Sequence, residues 1–376
     1  MSDGIPLFEI PWDESDVANV VSSVSRGSYW AKGPYVDSFE EGLESYFEVD
    51  HALTVNSGTT ALECALRACG IGEGDEVIVP SFTFIATANT VRMVGATPIF
   101  ADIEPDTYGL DPNSVRNAIT EDTAAIVPVH VYGAPCRIHE LAAVADEHDL
   151  YLIEDAAEAF GATADGELVG TIGDVAALSF CQNKILPTGE GGAVITDNDE
   201  LARSIAAYRS HGRTSSNYFD SVDSGQYERV GSNYRMPDIV AALGCSQLEK
   251  VDDLIDGRRK VAETYRRLLR DVSGVEPHTA LDADTHVYQL FTVEFDTEEQ
   301  RRSVISELSE RDISCKIYWM PGVHATEAYN TEKHIGDSLD KTEKASRRVL
   351  ALPMYADLPQ SSIHDVANGL IAGLSE

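Results

Sequence analysis

Positive charge is what this sequence has least of. Lysine and arginine together number 28 against 63 aspartates and glutamates, which leaves a formal net charge of −35 and an isoelectric point near 4.4. Lysine is the scarcer base, and the acidic residues are spread along the chain with no acidic tail. Such a surface repels phosphate backbones, so nucleic acid is excluded as a partner. A dispersed acidic excess also points to a halophilic host, where dissolved ions screen the self-repulsion. Long apolar runs are missing too: nothing approaches the roughly eighteen apolar residues that a spanning helix needs, and no membrane association is expected. The six cysteines, at 64, 69, 136, 181, 245 and 315, show none of the paired spacings of a metal site. The start, Met1-Ser2-Asp3-Gly4, has neither a basic region nor an apolar segment for export. Free thiols and a cytoplasmic location are the expectation. No repeat or low-complexity segment interrupts the chain.

What is present is a long globular pattern. With 376 residues and 43% hydrophobic content, the chain can bury a large core, and one large plus one smaller domain is expected. Residues 15–26 suit an amphipathic helix, and Gly33-Pro34 turns the chain into a helical run from Val36 to Phe47. Strand-like runs then alternate with helices: 51–55, 77–79, 97–100, 125–129 and 151–154, with helices near 61–68, 84–94, 113–119 and 138–147. That alternation predicts an α/β large domain over 1–250, with a mostly parallel sheet covered on both faces and a ligand crevice at the carboxyl ends of its strands. A strongly helical run, 238–269, leads into a smaller C-terminal α+β domain over 251–376. Its strands are expected near 287–295 and 313–318, and its helices near 298–310 and 342–350.

The stretch with the most chemistry in it is Ser179-Phe180-Cys181-Gln182-Asn183-Lys184, followed by Thr188-Gly189-Glu190-Gly191-Gly192. Val175-Ala176-Ala177-Leu178 before it and Ala193-Val194-Ile195-Thr196 after it suit core strands, so Lys184 falls on their connection. Desolvation lowers an ammonium's pKa and makes a neutral amine available to condense with an aldehyde, as pyridoxal phosphate requires. A lysine whose stem packs while its head reaches water would look the same locally. Upstream, Leu152-Ile153-Glu154-Asp155 delivers acidic residues at a strand end. A carboxylate held rigidly there can keep a pyridine nitrogen protonated, although a strand-terminal aspartate can equally cap the next helix. Asn56-Ser57-Gly58-Thr59-Thr60 turns a strand into a helix, placing backbone N–H groups and hydroxyls where a phosphate dianion is well held.

Taken together, these blocks, Gly33-Pro34 with Phe39-Glu40, Gly74-Asp75-Glu76-Val77-Ile78-Val79-Pro80, and Asn233-Tyr234-Arg235-Met236 resemble the DegT/DnrJ/EryC1/StrS sugar aminotransferases of fold type I. Within that family, Glu154-Asp155-Ala156-Ala157-Glu158-Ala159 and the Lys184 block look most like the GDP-perosamine synthases. The resemblance implies a pyridoxal 5′-phosphate enzyme that aminates a nucleotide-linked 4-keto-6-deoxy sugar with glutamate as donor, in amino-sugar and polysaccharide biosynthesis. It implies Lys184 and Asp155 as catalytic residues. Ser57, Gly58, Thr59 and Ser179 would bind the phosphate, and Phe84 would stack on the ring. Asn233 would add a phosphate contact from the partner of a homodimer with shared sites, the loop from Ser210 to Gly231 reaching across. Arg235 would bind the donor's carboxylate and His324 would face the sugar. Glu158 departs from the glutamine or histidine that many members place near the cofactor's 3-oxygen, where a carboxylate facing a phenolate would be repulsive unless one of them is protonated. Two rivals stand beside this reading. A sugar dehydratase of the same fold carries histidine in place of the anchoring lysine, which Lys184 argues against. A non-catalytic regulatory protein would have no need of the full catalytic set.

Overall fold

Glu76-Val77-Ile78-Val79-Pro80 and its counterparts are short, β-branched runs with no polar face, and each becomes a strand buried from both sides. In the computed structural model, which describes residues 4–214, 222, 225–330 and 338–375, the chain opens with helices α1 (Glu14–Ser25) and α2 (Pro34–Phe47). A regular alternation follows: β1 (His51–Val55), α3 (Gly58–Ala68), β2 (Glu76–Pro80), α4 (Ala86–Met93), β3 (Thr97–Ala101), α5 (Pro112–Ala118), β4 (Thr123–Ile126), α6 (Ile138–His148) and β5 (Tyr151–Asp155). A small hairpin, β6 (Thr163–Ala164) and β7 (Glu167–Leu168), leads to β8 (Val175–Ser179), β9 (Gly192–Thr196) and α7 (Asp199–Tyr208). These strands make a seven-stranded sheet in the order β1-β9-β8-β5-β4-β2-β3. Only β9 runs against its neighbours β1 and β8, so the sheet is mostly parallel, as expected. Two apolar layers, one around Phe39, Leu43 and Phe180 and the other around Leu62, Leu66 and Phe100, cover its two faces.

The helical run expected over 238–269 is two helices, α8 (Asp238–Glu249) and α9 (Val251–Leu269), meeting at Lys250. Lys250 leaves the helical region (φ −113°, ψ 4°), and its ammonium binds Asp13 at 2.9 Å and Asp16 at 2.6 Å. Asp252 and Asp253 then favour a new helix start. Beyond it lie β10 (Val275–Pro277), β11 (Phe291–Phe295), α10 (Glu298–Glu310), α11 (Asp340–Arg348), β12 (Val349–Leu352) and α12 (Gln360–Leu374). The three strands form an antiparallel sheet with β11 in the middle. Two expectations need correction here. The strand predicted over 313–318 exists only as single bridges, Ile313 to Ile5 and Lys316 to Ala351. The strand predicted from 287 begins at Phe291, because Tyr288 turns the chain with φ +52°.

Candidate active site

The carboxyl ends of β1, β2, β5 and β8 open onto one cavity of about 400 Å³, lined by Ser57, Gly58, Thr59, Phe84, Asp155, Glu158, Ser179 and Lys184. Eight of the residues singled out in the sequence therefore meet at one place. Lys184 is carried on a loop that is closed at its base. Thr188 N–H donates to Phe180 O at 2.8 Å, and Gln182 N–H to Gly189 O at 2.9 Å. Gly189 sits at φ +88°, a conformation glycine adopts without cost. Ile185 and Leu186 are buried next to the lysine, and Gln289 Nε2 donates to Asn183 O at 2.6 Å. With the backbone fixed from three sides, the Lys184 side chain projects into the cavity, its Nζ 3.3 Å from Glu158 Oε1.

Asp155 is buried at the end of β5. Thr87 Oγ1 donates to its Oδ2 at 2.8 Å and the Ala157 N–H to its Oδ1 at 3.3 Å. Burial pushes this carboxyl up, against the opposing pull of Thr87, Ala157 and Lys184. A buried carboxylate at the wall of a cavity is satisfied by a cationic N–H donor brought in by a ligand. Glu158 Oε2 accepts from the Tyr132 N–H at 3.0 Å, so both of its oxygens are engaged.

The phosphate end is built from closely approaching backbone. Ser57 caps α3: its hydroxyl accepts from Thr60 N at 3.1 Å while Thr60 Oγ1 accepts from Ser57 N at 3.1 Å. This box takes up the Thr60 N–H and leaves the amides of Gly58 and Thr59, which line the cavity, for a ligand. A Cβ on Gly58 would stand 2.7 Å from Ser179 Cβ, so glycine is what lets α3 and β8 close around a small anion. The donor set fits pyridoxal phosphate at both ends: amide N–H groups and hydroxyls for the dianion, a buried carboxylate for the ring nitrogen, and a lysine between them.

Three residues lie elsewhere. Asn233 pairs with Ser210. Arg235 faces a separate cavity of about 150 Å³ with Lys32, Arg209 and Arg213. The pKa of its guanidinium is pushed down by burial and then by the neighbouring Arg213 and Arg209, and its buried Nε has no partner among the described residues. His324, expected to face the sugar, is instead buried with Nδ1 2.6 Å from Ser81 Oγ. Phe84 stands at the rim, 60% exposed. Sequence reasoning missed Thr87, and it left Lys316, Tyr318 and Trp319, which also line the cavity, without roles. The last three arrive from the C-terminal part, with Trp319 stacked on Tyr132 at 5.6 Å between ring centres. Among the described residues no cluster of His, Cys, Asp or Glu could hold a metal ion, and no helix is long and apolar enough to cross a membrane.

A lysine and a buried carboxylate lining one cavity with a phosphate cradle, at the carboxyl ends of a mostly parallel sheet, are the site of a pyridoxal-phosphate-dependent aminotransferase. Residues 11–371 match the model of the DegT/DnrJ/EryC1/StrS aminotransferase family, and the chain belongs to that family. It is 34% identical to the GDP-perosamine synthase of Vibrio cholerae over 97% of both chains. To that of Caulobacter vibrioides it is 40% identical over 90% of both. The fold superposes on crystalline DesV of S. venezuelae with a TM-score of 0.92 at 34% identity, covering all of both chains.

Proposed function

We propose that this enzyme transfers an amino group from glutamate to the ketone of a nucleotide-linked 4-keto-6-deoxy sugar, as a GDP-perosamine synthase does. The observation that carries the reading is the convergence of Lys184 and Asp155 on one cavity whose far end is the Ser57-Gly58-Thr59 and Ser179 cradle. Bound pyridoxal phosphate supplies an aldehyde carbon and an electron-withdrawing ring. Asp155 would keep a proton on the ring nitrogen, Ser57, Gly58, Thr59 and Ser179 would hold the phosphate, and Phe84 would stack on the ring. Lys184 would anchor the cofactor and, once displaced by the donor amine, its amine would carry a proton from the donor's α-carbon to the former aldehyde carbon. Glu158, 3.3 Å from Lys184 Nζ, orients the amine between those tasks.

The site is shared in a homodimer. Asn233 and Arg235 lie outside the cavity of their own chain, yet carry an amide and a guanidinium suited to a phosphate and a carboxylate. Residues 215–221 and 223–224 of the loop between 210 and 231 lie outside the described residues. The kink at Lys250 and the separate apolar core around Tyr265, Phe291 and Leu350 support a large domain over 1–250 and a small one over 251–376. A cytoplasmic enzyme of a salt-loving host accords with the charge of −35. The direct test adds glutamate and a panel of GDP-, UDP- and dTDP-4-keto-6-deoxy sugars to the loaded enzyme. Glutamate is expected to bleach the visible absorbance, and mass spectrometry to find the amino sugar with the GDP-linked substrate. No bleaching, or amination of another nucleotide's sugar alone, overturns the reading at the corresponding level.

A further inference from the structure

Beside Asp155 on β5, but on the opposite face of the sheet, lies a second carboxylate that the mechanism does not use. Glu154 is wholly buried, as is His130, whose Nε2 lies 2.9 Å from Glu154 Oε2. The Cys136 N–H donates to His130 Nδ1 at 3.2 Å. A backbone amide can only donate, so Nδ1 is unprotonated and the proton sits on Nε2, directed at Glu154. Burial opposes a charge on this ring while Cys136 and Glu154 pull its pKa up, but an imidazolium would set an Nδ1 proton against the Cys136 amide, so the contact favours the neutral ring. Glu154 also accepts from the amides of Gly170 at 2.7 Å, Ile172 at 2.9 Å and Gly173 at 2.6 Å. Burial alone would raise this carboxyl, but His130 and the amides hold it low.

These donors belong to two segments, and Glu154 itself to a third. His130 follows β4, and its own N–H donates to Asp155 O at 3.2 Å. Gly170 to Gly173 form the turn that enters β8, the strand leading through Ser179 to Lys184. A single carboxylate thus joins the strand that ends in Asp155, the segment beside it, and the approach to the lysine loop. A core that needed only packing would have apolar residues here, since burying charge is costly and often matched by hydrophobic replacement.

We propose that Glu154 and His130 are positioning residues that set Asp155 in register with Lys184, an inference that rests on the functional reading above. The probe is pyridoxal phosphate itself, and the readout is the pH at which the visible absorbance of the loaded enzyme changes by half. His130→Ala removes one donor. Glu154→Gln places an amide NH₂ against two N–H donors whichever way it is turned. Both are expected to move that midpoint by about one pH unit, the scale of one altered ion contact, and to slow the glutamate half-reaction at least tenfold. His130→Gln can still donate to Glu154 and accept from Cys136, and is expected to restore the wild-type midpoint. Should His130→Ala not fold, His130→Asn, too short to span both partners, replaces it in the same titration. A midpoint unmoved in folded variants, with only the melting temperature lowered, overturns the proposal. A wild-type protein that takes up the cofactor without a visible band overturns the functional reading instead.

Discussion

Asp155 is the residue at which function and stability pull in opposite directions. Its carboxyl is raised by burial, so the cofactor-free folded state binds its proton more tightly than the unfolded chain does. The contribution of Asp155 to stability is then present below the unfolded carboxylate range and is lost as pH rises through the raised folded value. At neutral pH the empty site carries an ionised, poorly solvated carboxylate, offset in part by Thr87 Oγ1, the Ala157 amide and the charge of Lys184. Asp155→Asn is therefore expected to raise the melting temperature of the cofactor-free protein at pH 7 while lowering turnover by roughly a hundredfold or more. Calorimetry on cofactor-stripped protein at pH 5 and pH 7 checks the sign. A variant that melts lower than wild type at pH 7 would show that Asp155 stabilises the empty site.

At the scale of elements, the phosphate cradle depends on how closely α3 approaches β8. Gly58→Ala puts a Cβ 2.7 Å from Ser179 Cβ, and neither atom belongs to a flexible tip. The helix start must move outward, at a cost of about 1–3 kcal/mol, and the amides of its first turn move with it. Weaker cofactor binding, by about tenfold or more, is expected by fluorescence titration. A variant that binds the cofactor as tightly as wild type would mean that the cradle does not need this approach. The same elements show what could be read from the sequence. Ser57 and Asp155 were legible because each sits where a short apolar strand ends and polar residues begin, and Lys184 because it lies on the connection between two such strands, a purely local pattern; Ser179 came only with the family resemblance. Thr87, Gln289 and Trp319 were not, since they reach the site across the fold. β12 was hidden because Val349-Leu350-Ala351-Leu352 follows α11 with no turn residue between them, and its register is set by β11. The break at Lys250 was hidden because its cause, Asp13 and Asp16, lies more than two hundred residues earlier.

For the whole molecule, charge and assembly are what remain. A net charge of −35 makes the folded chain repel itself, and ions within a Debye length relieve that repulsion. The melting temperature is expected to fall as salt is lowered from molar to millimolar, and a flat or rising curve would remove the case for salt adaptation.

Assembly is tested through the two residues that their own chain leaves away from the cavity. Asn233 is held by its bridge to Ser210, and the Tyr234 hydroxyl ties the same segment to Glu63 on α3 at 3.0 Å. That segment is braced while Asn233 and Arg235 stay outside the lining of their own chain's Lys184 cavity, which suits a site completed by a second copy around a two-fold axis. Lys184→Ala and Asn233→Ala homodimers are each expected to be impaired, the first below detection and the second by weakened phosphate binding. In a mixed dimer, one site carries both lesions and the other carries neither. Exchanging subunits between the two impaired preparations should therefore raise activity toward half that of a wild-type dimer for each heterodimer formed, with native mass spectrometry counting the heterodimers. If subunits exchange and activity does not return, Asn233 serves its own chain and the shared-site arrangement is wrong.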